Sequence, residues 1–297
     1  MRRLIVNADD FGLTAGVNRA IVEAHTRGIV TSSTLMANGP AFDDAIRLAQ
    51  QTPQLDVGGH LVLIDGHPVL DASRLRTITL RDSDPASFRD GLRSFAARAL
   101  TGRLDPAEIE AEASAQIRKI QSAGIQVSHV DSHKHTHLFP AVLRPILRAA
   151  IACGVRAVRN PFGPRRPLPS SELLARPSLW TRYAEVRILR ALAGKFRDAV
   201  RRQGLITPDG TFGIVVTGEL DERLFRAIAA IVPEGIWEFV CHPGYNDADL
   251  QRAATRLRES RETELQVLTL PAAKQLLADQ GISLISYREL IATGTDG

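Results

Sequence analysis

Five short stretches of the 297-residue chain place chemically capable side chains where an apolar run ends. The first is Asn7-Ala8-Asp9-Asp10-Phe11-Gly12, directly after Leu4-Ile5-Val6. Adjacent carboxylates repel each other unless positive charge lies near them. A metal ion supplies that charge, so one aspartate can bind it while its neighbour stays free as a base. The second stretch, Val57-Gly58-Gly59-His60-Leu61, sets a histidine behind two glycines that permit close backbone approach. The third is His129-Val130-Asp131-Ser132-His133-Lys134-His135-Thr136-His137, which holds four of the eight histidines. At strand spacing, residues 129, 131, 133, 135 and 137 share one face. Neutral imidazole is the commonest nitrogen ligand. Asp131 among such histidines serves as a ligand, or as an acceptor that fixes a tautomer. The fourth, Glu238-Phe239-Val240-Cys241-His242-Pro243-Gly244-Tyr245, holds His242 at a strand end on a sharp turn, a position suited to a general acid. In the fifth, Val158-Arg159-Asn160-Pro161, Arg159 can pair with a carboxylate and hold its pKa down. Taken singly, each has a plainer reading as a turn, a core histidine or a surface ion pair. The histidine cluster carries the most weight for chemistry.

The elements that must position these residues alternate between short β-rich runs and amphipathic helical runs. Strands are expected at 4–8, 30–36, 55–63, 127–131, 155–158, 213–216, 237–241 and 283–285. Helices are expected at 17–26, 41–51, 106–123, 140–151, 180–202, 220–231, 255–266 and 271–280. Thr14 and Asp105 stand at N-cap positions, and Pro140 falls in a first turn. Such alternation implies an α/β fold with a mainly parallel sheet and outer helices. The strand count points to a closed or nearly closed (β/α) barrel, distorted and TIM-like, with a doubly wound open sheet as the alternative. No glycine-rich dinucleotide fingerprint follows the first strand. Residues 1–297 read as one domain, with 64–104 and 162–205 as insertions on the barrel. In α/β folds of this kind, ligands bind at the C-terminal ends of the strands, where the five stretches fall.

Composition narrows the partners. The net charge is +4, from 37 basic and 33 acidic residues, and aromatics make up 5%. That is too few stacking platforms for single-stranded nucleic acid, and no nucleic-acid partner is expected. Cys153 and Cys241 are far apart and read as two buried thiols, which fits a reducing compartment. No apolar run reaches the length of a membrane span, and Met1-Arg2-Arg3 is not followed by a secretory signal. A cytoplasmic location is expected. In the basic stretch near 182–202, Ile188, Leu189, Leu192, Phe196 and Val200 fall at helical spacing. An outer helix with a solvated basic face is the favoured reading; contact with a membrane surface is the alternative.

Together these motifs resemble those of the YdjC-like carbohydrate deacetylases, the ChbG/HpnK family. The resemblance rests on residues 7–12, 58–61, 129–137 and 241–245, with Thr31-Ser32-Ser33-Thr34 and Arg261-Glu262-Thr263-Glu264-Leu265, and spans nearly the whole chain. It implies a TIM-like barrel, one divalent metal ion and hydrolysis of an N-acetyl group on an amino sugar, such as a chito-oligosaccharide or another N-acetylglucosamine-containing glycan. Carried over by position, Asp10, His60 and His133 would bind the metal, Asp9 would be the base and His242 the acid. Similarity to the wider polysaccharide deacetylases would have Arg159 orient Asp9. Asp131, His135 and His137 would support the ligands or touch the substrate. Two imidazoles and one carboxylate suit Zn²⁺, while the resemblance keeps Mg²⁺ open; a homodimer is open as well. Two other readings stand beside this one. A metal-dependent phosphoesterase would call for more carboxylates and often a second ion. A non-catalytic metal- or sugar-binding protein would need neither a spare base nor an acid.

Overall fold

The computed structural model describes residues 1–80, 86–89 and 91–294. Its strands are β1 (Arg2–Phe11), β2 (Ser32–Leu35), β3 (Asp56–Leu61), β4 (His129–Ser132), β5 (Ala157–Val158), β6 (Gly210–Phe212), β7 (Gly235–Cys241) and β8 (Ile282–Leu284). All pair in parallel, in the order β5-β4-β3-β2-β1-β7-β6. β8 lies beside Arg2–Leu4 of β1, on the stretch that β2 does not reach. A parallel bridge between Ala157 and Ile206 brings the chain before β6 against β5. The sheet therefore curls round towards closure, an α/β distorted barrel rather than the open doubly wound sheet.

Helices wrap the outside: α1 (Ala15–Thr26), α2 (Phe42–Gln51), α3 (Leu92–Leu100), α4 (Pro106–Ser122), α5 (Pro140–Ala152), α6 (Ser170–Ala175), α7 (Trp180–Leu189), α8 (Ala193–Arg202), α9 (Glu222–Ala229), α10 (Ala248–Arg252), α11 (Glu259–Thr269), α12 (Pro271–Asp279) and α13 (Tyr287–Thr293). The expected caps form. Thr14 Oγ1 accepts the Val17 N–H at 3.1 Å, and the Asp105 carboxylate accepts that of Ala107 at 2.8 Å. Each satisfies a donor left orphaned by the first helical turn.

Several expectations are corrected. The strand placed at 213–216 lies at Gly210–Phe212; Gly213, at φ 95°, turns the chain into a 3₁₀ turn over Ile214–Val216. The helix expected over 180–202 is broken into α7 and α8 by a 3₁₀ turn at Arg190–Leu192. The run from 129 to 137 does not stay extended. β4 ends at Ser132, and Lys134 and His135 follow at φ 52° and 54°, so the five alternating residues do not share a face. Cys241 is buried as expected, but Cys153 is only half-buried.

The period-2 alternation of β1 divides its side chains between two environments. Leu4, Val6 and Ala8 pack outward with the large core under the helices. Ile5 faces inward, packing with Ala157, Ile285, Tyr287 and Leu290. Asn7 and Asp9 follow it on the same side, so the barrel interior grades from an apolar floor to a polar rim. Tyr287, at the start of α13, plugs the floor. Its ring stacks on His129 with centroids 3.6 Å apart, and its hydroxyl donates to Glu238 at 2.7 Å.

The chain after β3 is tied to α4. Gln116 exchanges two hydrogen bonds with the Val62 backbone, and Glu112 accepts the N–H groups of Val69 and Leu70.

Candidate active site

Asp9 and Asp10 would point to opposite faces of a regular strand. Asp10 instead adopts φ 68°, and the register against β2 shifts between Ala8 and Phe11. This bulge brings both carboxylates into the barrel mouth. Left-handed backbone is costly for most residues but is tolerated better by aspartate. Local strain of this kind often accompanies a working site.

Asp9 is gripped by Arg159, which donates from Nη1 to Oδ2 at 2.8 Å and from Nη2 to Oδ1 at 2.6 Å. Asn7 Nδ2 adds a bond to Oδ1 at 3.0 Å. Burial raises the Asp9 pKa, but the Arg159 guanidinium overrides it and holds the carboxyl well below its usual range. Arg159 is fully buried and shared among three carboxylates. It also meets Asp131 and donates from Nε to Glu238 at 2.8 Å. A buried guanidinium is stable only when its donors are met in this way.

Asp131 accepts His60 Nδ1–H at 2.7 Å. That bond fixes the ring with Nε2 facing Asp10 and His133, where its lone pair is free only in the neutral form that a metal ligand requires. Burial lowers the His60 pKa, while Asp131, Asp9 and Asp10 raise it, to about 9. His60 Nε2, His133 Nδ1 and Asp10 Oδ1 form a triangle with sides of 3.3, 3.5 and 3.5 Å. None is a good hydrogen-bond length. Three ligands of a tetrahedral ion at about 2.0–2.1 Å would stand about 3.3–3.4 Å apart. The triangle therefore fits a divalent ion without rearrangement. Asp9, His60 and Asp131 also lie close together, but Arg159 and the His60 N–H already engage those carboxylates. Arg261 supports the first triangle from behind, donating to Asp10 Oδ2 at 2.5 Å.

On the other side of Asp9 stands His242, its Nε2 3.9 Å from Asp9 Oδ2. Its backbone N–H donates to Glu264 at 2.5 Å, and its ring Nδ1 lies 3.9 Å from the same carboxylate. Burial takes the His242 pKa below 6.5, opposed by Glu264, Asp9 and Asp10.

The structure thus brings Asp9, Asp10, His60, Asp131, His133, Arg159 and His242 into one site. His137 turns away. Its Nδ1 pairs with Ser132 Oγ at 2.6 Å, and its ring packs near Phe196 of α8. His135 lies edge-on to His137, centroids 6.4 Å apart, its imidazole pKa pushed down to about 3 by burial and then by Arg159. Sequence reasoning gave no role to Asn7, Glu238, Arg261, Glu264 or Tyr287, and counted His129 only among the cluster's imidazoles. One signal was available for Glu238, a lone charge in the apolar run Trp237–Cys241. Another was the spacing of Arg261 and Glu264, three apart and both buried on α11. The partners of Asn7 and Tyr287 come from distant strands, and no local pattern marks them.

The chain is similar to known proteins over nearly its whole length. A carbohydrate deacetylase of Brevibacillus brevis is 33% identical over 97% of this chain and 99% of its own. A carbohydrate deacetylase of Geobacillus stearothermophilus is 34% identical, with 97% and 98% covered. A solved structure from Enterococcus faecalis V583, named for cellobiose-phosphate cleavage, superposes with a TM-score of 0.77 at 25% identity, covering 97% of this chain and 98% of that one. The family model described as YdjC-like protein matches residues 3–279, and the chain belongs to that family.

Proposed function

We propose that the protein is a metal-dependent carbohydrate deacetylase that hydrolyses the N-acetyl group of an amino sugar. One observation carries the reading: a ligand triangle of Asp10, His60 and His133 beside an arginine-clamped Asp9, with His242 on Asp9's far side. The relatives named carbohydrate deacetylase support the substrate class. Asp10, His60 and His133 would hold the divalent ion, which supplies a Lewis acid and acidifies water when bound. The nitrogen-rich donor set favours Zn²⁺ over Mg²⁺.

Asp9 stays ionised because of Arg159 and accepts the proton of the attacking water. Its Oδ2 carries only one guanidinium bond and faces His242, so that oxygen is the one free to act. The water oxygen adds to the acetamide carbonyl, and the C–N bond then breaks. An amine leaves poorly unless protonated, and the imidazolium of His242 delivers that proton. The two steps are coupled. The Asp9 carboxylate raises the proton affinity of His242, so once Asp9 is protonated the imidazolium releases its proton more readily. Acetate and a free amine result.

Acetate release from N,N′-diacetylchitobiose by purified protein, before and after chelation and with single metals restored, tests this reading. Release that chelation stops and one ion restores is the expected result. Release indifferent to chelation would remove the metal from the mechanism. Cleavage of a phosphodiester in its place would reassign the reaction.

A further inference from the structure

The structure shows that the excess charge is local. Residues 180–202 carry seven basic side chains against Glu185 and Asp198, enough to account for the entire +4 of the chain. Of the seven, Arg201 alone is ion-paired among the described residues, to Asp198 at 2.7 Å. Burial and three neighbouring guanidiniums, Arg165, Arg197 and Arg187, press Arg190 below its ordinary pKa. Like charges gathered this closely repel one another unless anions lie against them.

Apolar groups stand exposed amid this charge. On α7, Trp180 and Ile188 are 51% and 74% exposed, and Ala184 lies on the same stripe at i, i+4 spacing. The Trp180 indole N–H donates to the Leu173 carbonyl at 2.7 Å, which sets the ring against α6, where Leu174 is 72% exposed. The favoured sequence reading covers only part of this. Phe196 and Val200 are buried on the inner face as an outer barrel helix requires, whereas Ile188 is not.

We infer that the outer face of α6 and α7, with the arginines that flank it, docks on an anionic lipid bilayer. Trp and aliphatic side chains enter the headgroup boundary, while arginines neutralise anionic headgroups beside them. A second copy of the chain would bring like charge against like. A nucleic acid would leave Ile188 and Leu174 with nothing to stack on. On its inner side, Phe196 of α8 packs near His137, which ties this part of the chain to the turn after β4. The inference does not depend on which reaction the site performs.

Sedimentation with vesicles of about three parts phosphatidylcholine to one part phosphatidylglycerol tests it. The protein is expected to bind these and not pure phosphatidylcholine, and to detach as salt rises. Arg187→Gln with Arg197→Gln should weaken the partition about thirtyfold, and Ile188→Ser should weaken it further. All three side chains are exposed, and unchanged thermal unfolding controls for folding. Failure of the wild-type protein to bind, equal binding to neutral vesicles, or full affinity in Ile188→Ser would each overturn the inference. Binding to heparin or polynucleotide without binding to vesicles would transfer the surface to a polyanion.

Discussion

Replacing Glu264 with Gln should move the alkaline limb of the deacetylation profile to lower pH. If His242 is the acid, kcat/KM is high while its ring is protonated and falls as pH rises through its pKa. That pKa lies below 6.5 because burial outweighs the help of Glu264, Asp9 and Asp10. Glu264 approaches the ring at 3.9 Å. Unit charges about 4 Å apart at an effective dielectric of about 20 interact by about 4 kcal/mol, an upper bound. Opposite charges at such range shift a pKa by about one to three units. The limb should therefore move acidward by that amount. Well above the limb, each unit costs about tenfold in the protonated fraction, while at acid pH the two enzymes should converge. Gln keeps a carbonyl oxygen to accept the His242 N–H, so the loop is retained. The assay is acetate release across pH, with thermal unfolding as control. A drop equal at every pH would mean a structural role, and a limb that stays put or moves up would refute the assignment of His242.

His242→Ala should lower kcat by about 10²–10⁴-fold while a titrated divalent ion still binds; loss of binding would mean the ring holds the ion. Asp131→Asn should weaken metal affinity about 10–100-fold, read by calorimetry, because His60 loses the carboxylate that orders its ring. Arg159→Leu should destabilise the fold by about 3–5 kcal/mol near neutral pH, measured by urea unfolding, since it strands Asp9, Asp131 and Glu238. In the wild type, Asp9's depressed pKa gives stability that is present above the ordinary carboxylate value and lost as pH falls. Burial raises that pKa in the variant, so the deficit should shrink on acidification. A deficit that grew in acid would contradict the pairing.

The sequence was most informative where chemistry and strand ends coincide. Parallel strands leave their C-terminal ends on one rim, so Asp9, Asp10, His60, Arg159 and His242 could be expected to converge before any coordinates. The run 129–137 misled because alternating polar residues imitate a strand, and nothing in Lys134 or His135 announces a left-handed turn. That turn is what separates His133 from His137. The break between α7 and α8 was equally silent, since Arg190-Ala191-Leu192 contains no helix breaker. The supports of the site were hidden for a different reason. Glu238 reaches Arg159 from 79 positions away and Arg261 reaches Asp10 from 251, and neither pairing leaves a local period.

The seam of the barrel has a consequence for how the chain can vary. Residues 163–205 leave and re-enter between neighbouring segments stitched by short backbone bonds, Val158 N–H to Ile206 O at 2.9 Å and Thr211 N–H to Phe162 O at 3.2 Å. The excursion is thus anchored at both ends by the wall itself. A relative's version of this segment grafted at these two stitches is expected to re-enter the wall in the same place, with the surface charge of α7 and α8 changing and the strands unchanged.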